Sequence, residues 1–263
     1  MGPTHALSGA AAWIAGSAII EACGTPVPGA EIAVGAAVCA GAALLPDIDH
    51  PSSTVARSFG PVSVALSHGV DAIATVVFNV TRTSIERPRE SGHRTLTHTT
   101  VFAMGLGGLV GAACSIFGKA AAAVVLFLLL GLALRGLLGG WARRQDWAMT
   151  TLVTSGVSLG ALVWLPADRT YAVLGVAVTL GAFMHCLGDM ITKQGCPLAW
   201  PLVHRGKRWW EFALPSAFRI RAGGSFEKNV LLPVLSAVTL AGSMAVTPPA
   251  HALVMSLWHA AAA

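Results

Sequence analysis

The sequence predicts an all-α, polytopic membrane protein of about six to eight hydrophobic helices packed in one bundle. Composition points there first: 54% of the 263 residues are hydrophobic and only 11% are charged, against roughly a quarter charged in a soluble domain. Mean hydropathy is +0.68. Run length decides the matter. Segments 99–117, 147–165, 171–187 and 230–246 contain no charged residue, and 120–138 contains only Arg135. Most of these approach the ~20 residues that span a ~30 Å hydrocarbon core.

Taken in order, the chain opens with two apolar runs, 6–22 and 32–45, joined by the Pro/Gly-rich turn 23–29. They read as a helical hairpin whose arms are short for a full crossing. No Lys or Arg precedes residues 6–20, so a cleaved signal peptide is not expected. Segment 51–90 is less apolar; its helical stretch near 61–80 suits the membrane interface or the side of the bundle, with His68 and Asp71 as an ordinary polar pair. The five cysteines form no C-x-x-C pair and are expected as buried free thiols. Segment 194–229 is polar, and Trp209-Trp210 within it is expected to anchor at the headgroups. The whole chain, 1–263, reads as a single membrane-embedded domain.

Sidedness follows from counting. If the hairpin starts inside and each later apolar run crosses once, the inner segments are 1–5, 46–98, 139–146 and 188–229. They hold fourteen of the 17 Lys and Arg residues, while the outer segments hold only Lys119 and Arg169. This bias makes 46–98 and 188–229 cytoplasmic. It also assigns the net charge of +5 to the membrane rather than to nucleic acid.

The same topology brings His5, Asp47, Asp49, His50, His93, His98, His185 and Asp189 to inner helix ends, where ionisable groups are expensive and mark function. His185 and Asp189, spaced i, i+4, share one helix face; a common metal ion or a structural His–Asp pair both satisfy that spacing. In Leu44-Leu-Pro-Asp-Ile-Asp-His-Pro-Ser52 the two prolines interrupt helix, so Asp47 and Asp49 are expected in extended backbone with both carboxylates on one side. Paired carboxylates suit a divalent cation. His93 and His98 flank a turn before an apolar helix that Thr95 or Thr97 can cap. Arg94 suits an anionic substrate group or a positive-inside role. His204, His251 and His259 lack partners.

These motifs resemble the YdjM/YbcI-type inner-membrane proteins, described as membrane-bound metal-dependent hydrolases. The resemblance runs through His5 and Gly9, Leu-Pro-Asp47-Ile-Asp49-His50-Pro-Ser, and His93-Arg-Thr-Leu-Thr-His98-Thr. It continues in His185-Cys-Leu-Gly-Asp189-Met-Ile-Thr192-Lys-Gln-Gly195 on to Pro201, and in Gly224-Ser-Phe-Glu227. One departure is Thr95, where a Gly often follows the Arg. The resemblance implies a helical membrane fold and metal-dependent hydrolysis, with no substrate specified. A superficial likeness to type-2 phosphatidic acid phosphatases fails, because Thr179 stands where their phosphate-holding Arg is required.

The sequence therefore points to a hydrolase in the inner membrane with its site on the cytoplasmic side. Divalent metal, zinc first from the histidine content, would be held by ligands drawn from His5, Asp47, Asp49, His93, His98, His185 and Asp189. Asp49 and His93 are the candidate catalytic groups. The partners are the lipid bilayer and a small-molecule or lipid substrate, such as a phosphoester headgroup. A metal or proton transporter and a structural protein with a fixed metal are the competing readings. A transporter needs polar groups along the whole membrane depth, whereas these gather at one end.

Overall fold

The computed structural model describes residues 1–138, 147–165 and 171–246. His251 and His259 lie outside the described residues. Among the described residues, eight α-helices and no strands form an all-helical bundle: α1 (Gly2–Ala22), α2 (Gly29–Ala42), α3 (Gly60–Thr81), α4 (Thr100–Phe117), α5 (Lys119–Leu137), α6 (Trp147–Trp164), α7 (Val173–Met190) and α8 (Leu232–Val246). Each start and stop has a local cause. Pro3 opens the first turn of α1, and α2 begins directly after Pro28. Thr99 caps α4 by accepting from the Phe102 N–H at 3.1 Å. This corrects the expected Thr95 or Thr97 cap and puts His98 in a short 3₁₀ turn before the helix. Gly118, at φ +53, ends α4 and allows the sharp reversal into α5.

The hairpin is longer than its apolar runs imply. α1 has 21 residues, about 31 Å at ~1.5 Å per residue. α2 continues through a 3₁₀ turn, Leu45–Asp49, into a 21-residue apolar span. α2 is the centre of the bundle and packs on α1, α5 and α7. Val38, Cys39 and Ala42 on α2, with Ala177 and Ala182 on α7, are fully buried. Small residues set the helix spacing, because lipid gives little hydrophobic drive for helix association. A Cβ on Gly9 would lie 2.6 Å from the Cys39 carbonyl oxygen, and one on Gly175 would lie 2.6 Å from the Gly111 N. Large apolar side chains such as Leu109, Phe117, Leu159 and Leu240 point outward instead, as lipid-facing residues should.

Six described helical segments are long and apolar enough to cross a membrane, α3 among them. α3 nevertheless returns to the side it leaves. Asp49 before it and His93 after it are hydrogen-bonded at 2.8 Å. The irregular segment between runs back along the helix: Asn79 Nδ2 donates to the Arg89 carbonyl at 2.8 Å, and the Gly92 N–H donates to Asp71 Oδ1 at 2.8 Å. Exposed Arg87, Pro88 and Glu90 in that segment cannot occupy hydrocarbon, where unpaired backbone and charge are excluded. Asp71 is thus bound to the returning chain and not paired with His68. The apolar stripe Val62, Leu66, Ile73, Val76 and Val80 of α3 is exposed.

Trp209 is also placed differently from expectation. It is buried, with its ring stacked on Trp200 at 5.0 Å; Trp210 stays half-exposed beneath the Arg205 guanidinium. Glu86 fastens this segment to the chain after α3, accepting from the N–H groups of Thr83 at 2.7 Å, Trp209 at 2.7 Å and Arg208 at 3.3 Å. Burial alone raises its pKa, but those three donors outweigh it and hold the carboxyl below the usual 4.5. The stabilisation is therefore complete above that value and is lost as pH falls through the depressed one. Glu86→Ala leaves the donors unpaired, an expected loss of about 1–3 kcal/mol. Limited trypsin digestion at neutral pH should cleave near Arg205–Arg208 faster in the variant than in the parent.

Candidate metal centre

Four helix ends meet at one end of the bundle. The start of α1 brings His5, the turn after α2 brings Asp47 and Asp49, the turn before α4 brings His93 and His98, and the last turns of α7 bring His185 and Asp189. All seven candidate ligands named from the sequence converge there. Six fall into two adjoining triads. His5, His185 and Asp189 are buried; Asp47, His93 and His98 lie on the more open side.

At the junction of the triads, His98 Nε2 and His185 Nε2 are 3.3 Å apart. Asp189 Oδ2 lies 3.4 Å from the first and 3.7 Å from the second. Asp47 Oδ1 lies 3.8 Å and 3.6 Å from the same two nitrogens. His185 Nδ1 is 2.8 Å from the Ala43 carbonyl oxygen, a bond only an N–H can make, so the neutral ring presents its Nε2 lone pair to the centre. His98 Nδ1 faces the Thr97 hydroxyl at 2.9 Å and Asp49 Oδ2 at 3.5 Å, which turns its Nε2 inward as well. Asp189 Oδ2 is buried with no hydrogen-bond donor. Acceptors thus meet acceptors at a junction buried on every side but that of Asp47, and such a site requires a cation, whether a proton or a metal. Burial works against a charge on His98, but the hydrogen bond and charge of Asp49, with Asp189 and Asp47 adding theirs, push its pKa up to about 8; without a metal this ring takes the proton, and a metal that displaces it meets acceptors only.

Asp49 stands behind the triads. Its Oδ1 accepts from His93 Nδ1 at 2.8 Å, and its Oδ2 accepts from the Thr97 hydroxyl at 2.5 Å and the Arg94 N–H at 3.2 Å. Fully buried and with both oxygens engaged, it orients two histidines. It does not stand beside Asp47 in extended backbone: the 3₁₀ turn Leu45–Asp49 points the two carboxylates apart. His50 lies outside both triads, its ring 4.7 Å from that of His93.

Arg94 is also committed. Nη2 donates to Asp189 Oδ1 at 3.0 Å, and Nη1 donates to Thr192 Oγ1 and the Gly195 carbonyl, each at 3.2 Å. Its φ of +58 is the left-handed region that a long side chain rarely adopts, and these contacts hold it there. Thr192 and Gly195 of the motif after α7 thus serve the arginine. Two further positioning residues stood in the quoted motifs, but the sequence reading gave them no role. A Cβ on Gly188 would lie 2.7 Å from His5 Nδ1, so glycine makes the room in which His5 stacks on His185 at 4.0 Å. Glu227 accepts from the Thr4 hydroxyl at 2.7 Å and so fixes the turn carrying His5. A glycine between two candidate ligands on one helix was a legible signal; the Thr4–Glu227 pairing, across 223 positions, was not. His204 remains apart, 5.1 Å from Trp210.

Fold and cluster together define a polytopic helical membrane protein with a buried His/Asp centre at one end of its bundle. The chain belongs to the YdjM inner membrane protein family, which matches residues 1–261, and is accordingly a multi-pass protein of the inner membrane. Neither a curated protein nor a solved structure matches it.

Proposed function

We propose that this protein is a membrane-embedded hydrolase dependent on divalent metal, zinc by preference, acting on a phosphoester at the cytoplasmic face. The observation that carries the reading is the acceptor-only junction of His98 Nε2, His185 Nε2, Asp47 Oδ1 and the donorless Asp189 Oδ2. Mixed imidazole and carboxylate donors suit zinc. His5, His185 and Asp189 would hold an ion in the buried position, and Asp47, His93 and His98 would hold one beside it. Bound there, divalent ions supply Lewis acidity, lowering the pKa of water toward neutrality and polarising the ester oxygen.

The chain's own groups set the conditions. Asp49 keeps His93 and His98 in the tautomers that turn Nε2 to the centre, and so acts as a positioning residue. Arg94 neutralises part of the Asp189 charge and fixes its rotamer. His93, with a side chain 30% exposed, forms the edge at which substrate and water arrive. Position favours hydrolysis over transport, because these groups gather at one end of the bundle.

Activity is tested by hydrolysis of a phosphoester panel before and after chelation, with zinc added back; activity lost and restored is expected, and activity indifferent to chelation rejects the reading. Sidedness has a built-in control. Cys23, the exposed native thiol among the five, lies in the hairpin turn at the opposite end from the cluster. An impermeant maleimide added outside intact cells should label Cys23 and miss a cysteine introduced at Arg205. Labelling at 205 refutes the cytoplasmic placement.

A further inference from the structure

A cavity of about 430 Å³ lies against the cluster, reaching it through Asp47, a volume in the range of small-molecule sites. Ser53 and Ser58 form part of its polar wall, Leu44 and Leu132 part of its apolar one, and Arg135 belongs to the lining. Arg135 occupies the last turn of α5 and is only 8% exposed. Its Nε and Nη2 are buried with no acceptor among the described residues.

A positive-inside arginine at a helix C-terminus explains the position but not the burial, since such a side chain normally reaches for water. Arg135 Nε and Nη2 find no acceptor on the nearby serines, whose hydroxyls point elsewhere: Ser53 Oγ donates to the Asp47 carbonyl at 2.9 Å and Ser58 Oγ to that of Thr54 at 2.9 Å. Among the described residues no carboxylate forms an ion pair with Arg135, and Asp47 turns its Oδ1 to His98 and His185. A buried guanidinium with free donors is costly unless an anion completes it. Arg94, the other arginine at the centre, spends both Nη groups on Asp189, Thr192 and Gly195 and leaves only its Nε without an acceptor.

We infer that Arg135 is the substrate's anion-recognition residue: it holds a phosphate oxyanion in this cavity, beside the cluster, with the apolar wall receiving the rest of the molecule. The inference deepens the hydrolase reading and rests on it for the location of the reacting centre. A planar fork of N–H donors matches two phosphate oxygens, and the apolar residues suit an amphiphile.

The test uses the full chain in phosphatidylcholine nanodiscs, as parent, Arg135→Met and Arg135→Lys. Thermal stability is followed while inorganic phosphate is titrated in, and separately as phosphatidic acid is included in the disc; metal content is measured on the same samples. The parent should be stabilised by at least one probe. Arg135→Met should weaken that response about tenfold or more, without lowering stability in the absence of the probe, because an unpaired buried cation has been removed. Arg135→Lys, which keeps the charge and loses the fork, should also respond more weakly than the parent. Dependence on Arg135 with phosphatidic acid alone identifies a lipid headgroup as the source. Dependence with inorganic phosphate identifies the oxyanion whatever carries it, and either result supports the site. No response in the parent, or equal responses in parent and Arg135→Met, overturns it; so does a probe-free loss of stability in Arg135→Met that Arg135→Lys repairs. Metal-free parent that still responds through Arg135 would reject the metal centre and keep this site. Metal-loaded parent whose response ignores Arg135 would do the reverse.

Discussion

Asp189→Asn is expected to strip the protein of its metal while leaving it folded in the membrane. Asparagine keeps the shape and an oxygen for the Arg94 bond at 3.0 Å, but removes the charge facing His98 and His185 at 3.4 and 3.7 Å. Removing one partner from a buried charge cluster costs about 3–5 kcal/mol, so metal affinity should fall by more than about a hundredfold. Hydrolytic activity should disappear with it. His204→Ala is the control: His204 packs on Trp210 away from the cluster, and metal content should not change. Loss of expression in Asp189→Asn, with no metal in the parent, would identify a structural His–Asp pair instead.

The second large effect is expected at Asp49. Asp49→Asn places an amide where one carboxylate oxygen now accepts from His93, or where the other accepts from Thr97 and Arg94. One of those bonds must become donor against donor, so His93 or His98 loses its orientation. Residues behind metal ligands change affinity by about 10- to 100-fold, which sets the expected drop in zinc affinity measured by competition with a chromophoric chelator. The drop should be smaller than for Asp189→Asn. An equal or larger one would make Asp49 a direct ligand and contradict the role assigned to it.

Much of this arrangement was legible in the chain because membranes make patterning blunt. The uncharged run 99–117 became Thr100–Phe117, and 147–165 became Trp147–Trp164. Hydrocarbon excludes charge, so an apolar run ends where a membrane helix does. His185 and Asp189 met one centre because i, i+4 fixes a shared face. What failed was irregular backbone and long-range pairing. The prolines around Asp47 and Asp49 forbid regular α-helix, but extended chain and a 3₁₀ turn both satisfy that restriction; contacts from residues 93–97 select the turn. Trp209 was misplaced because an adjacent aromatic pair reads the same at a bilayer surface and in a loop core, until Trp200 and Phe78 close over one ring. Arg94 had two readings, and the left-handed turn that aims it at Asp189 leaves no local mark.

Elemental analysis of the purified full-length protein, extracted without chelator, tests the central claim most directly. The acceptor-only junction predicts a stoichiometric divalent ion, zinc foremost, that survives gel filtration and is removed by strong chelation. Folded, monodisperse protein that contains no divalent metal and takes up none from solution at neutral pH would contradict it.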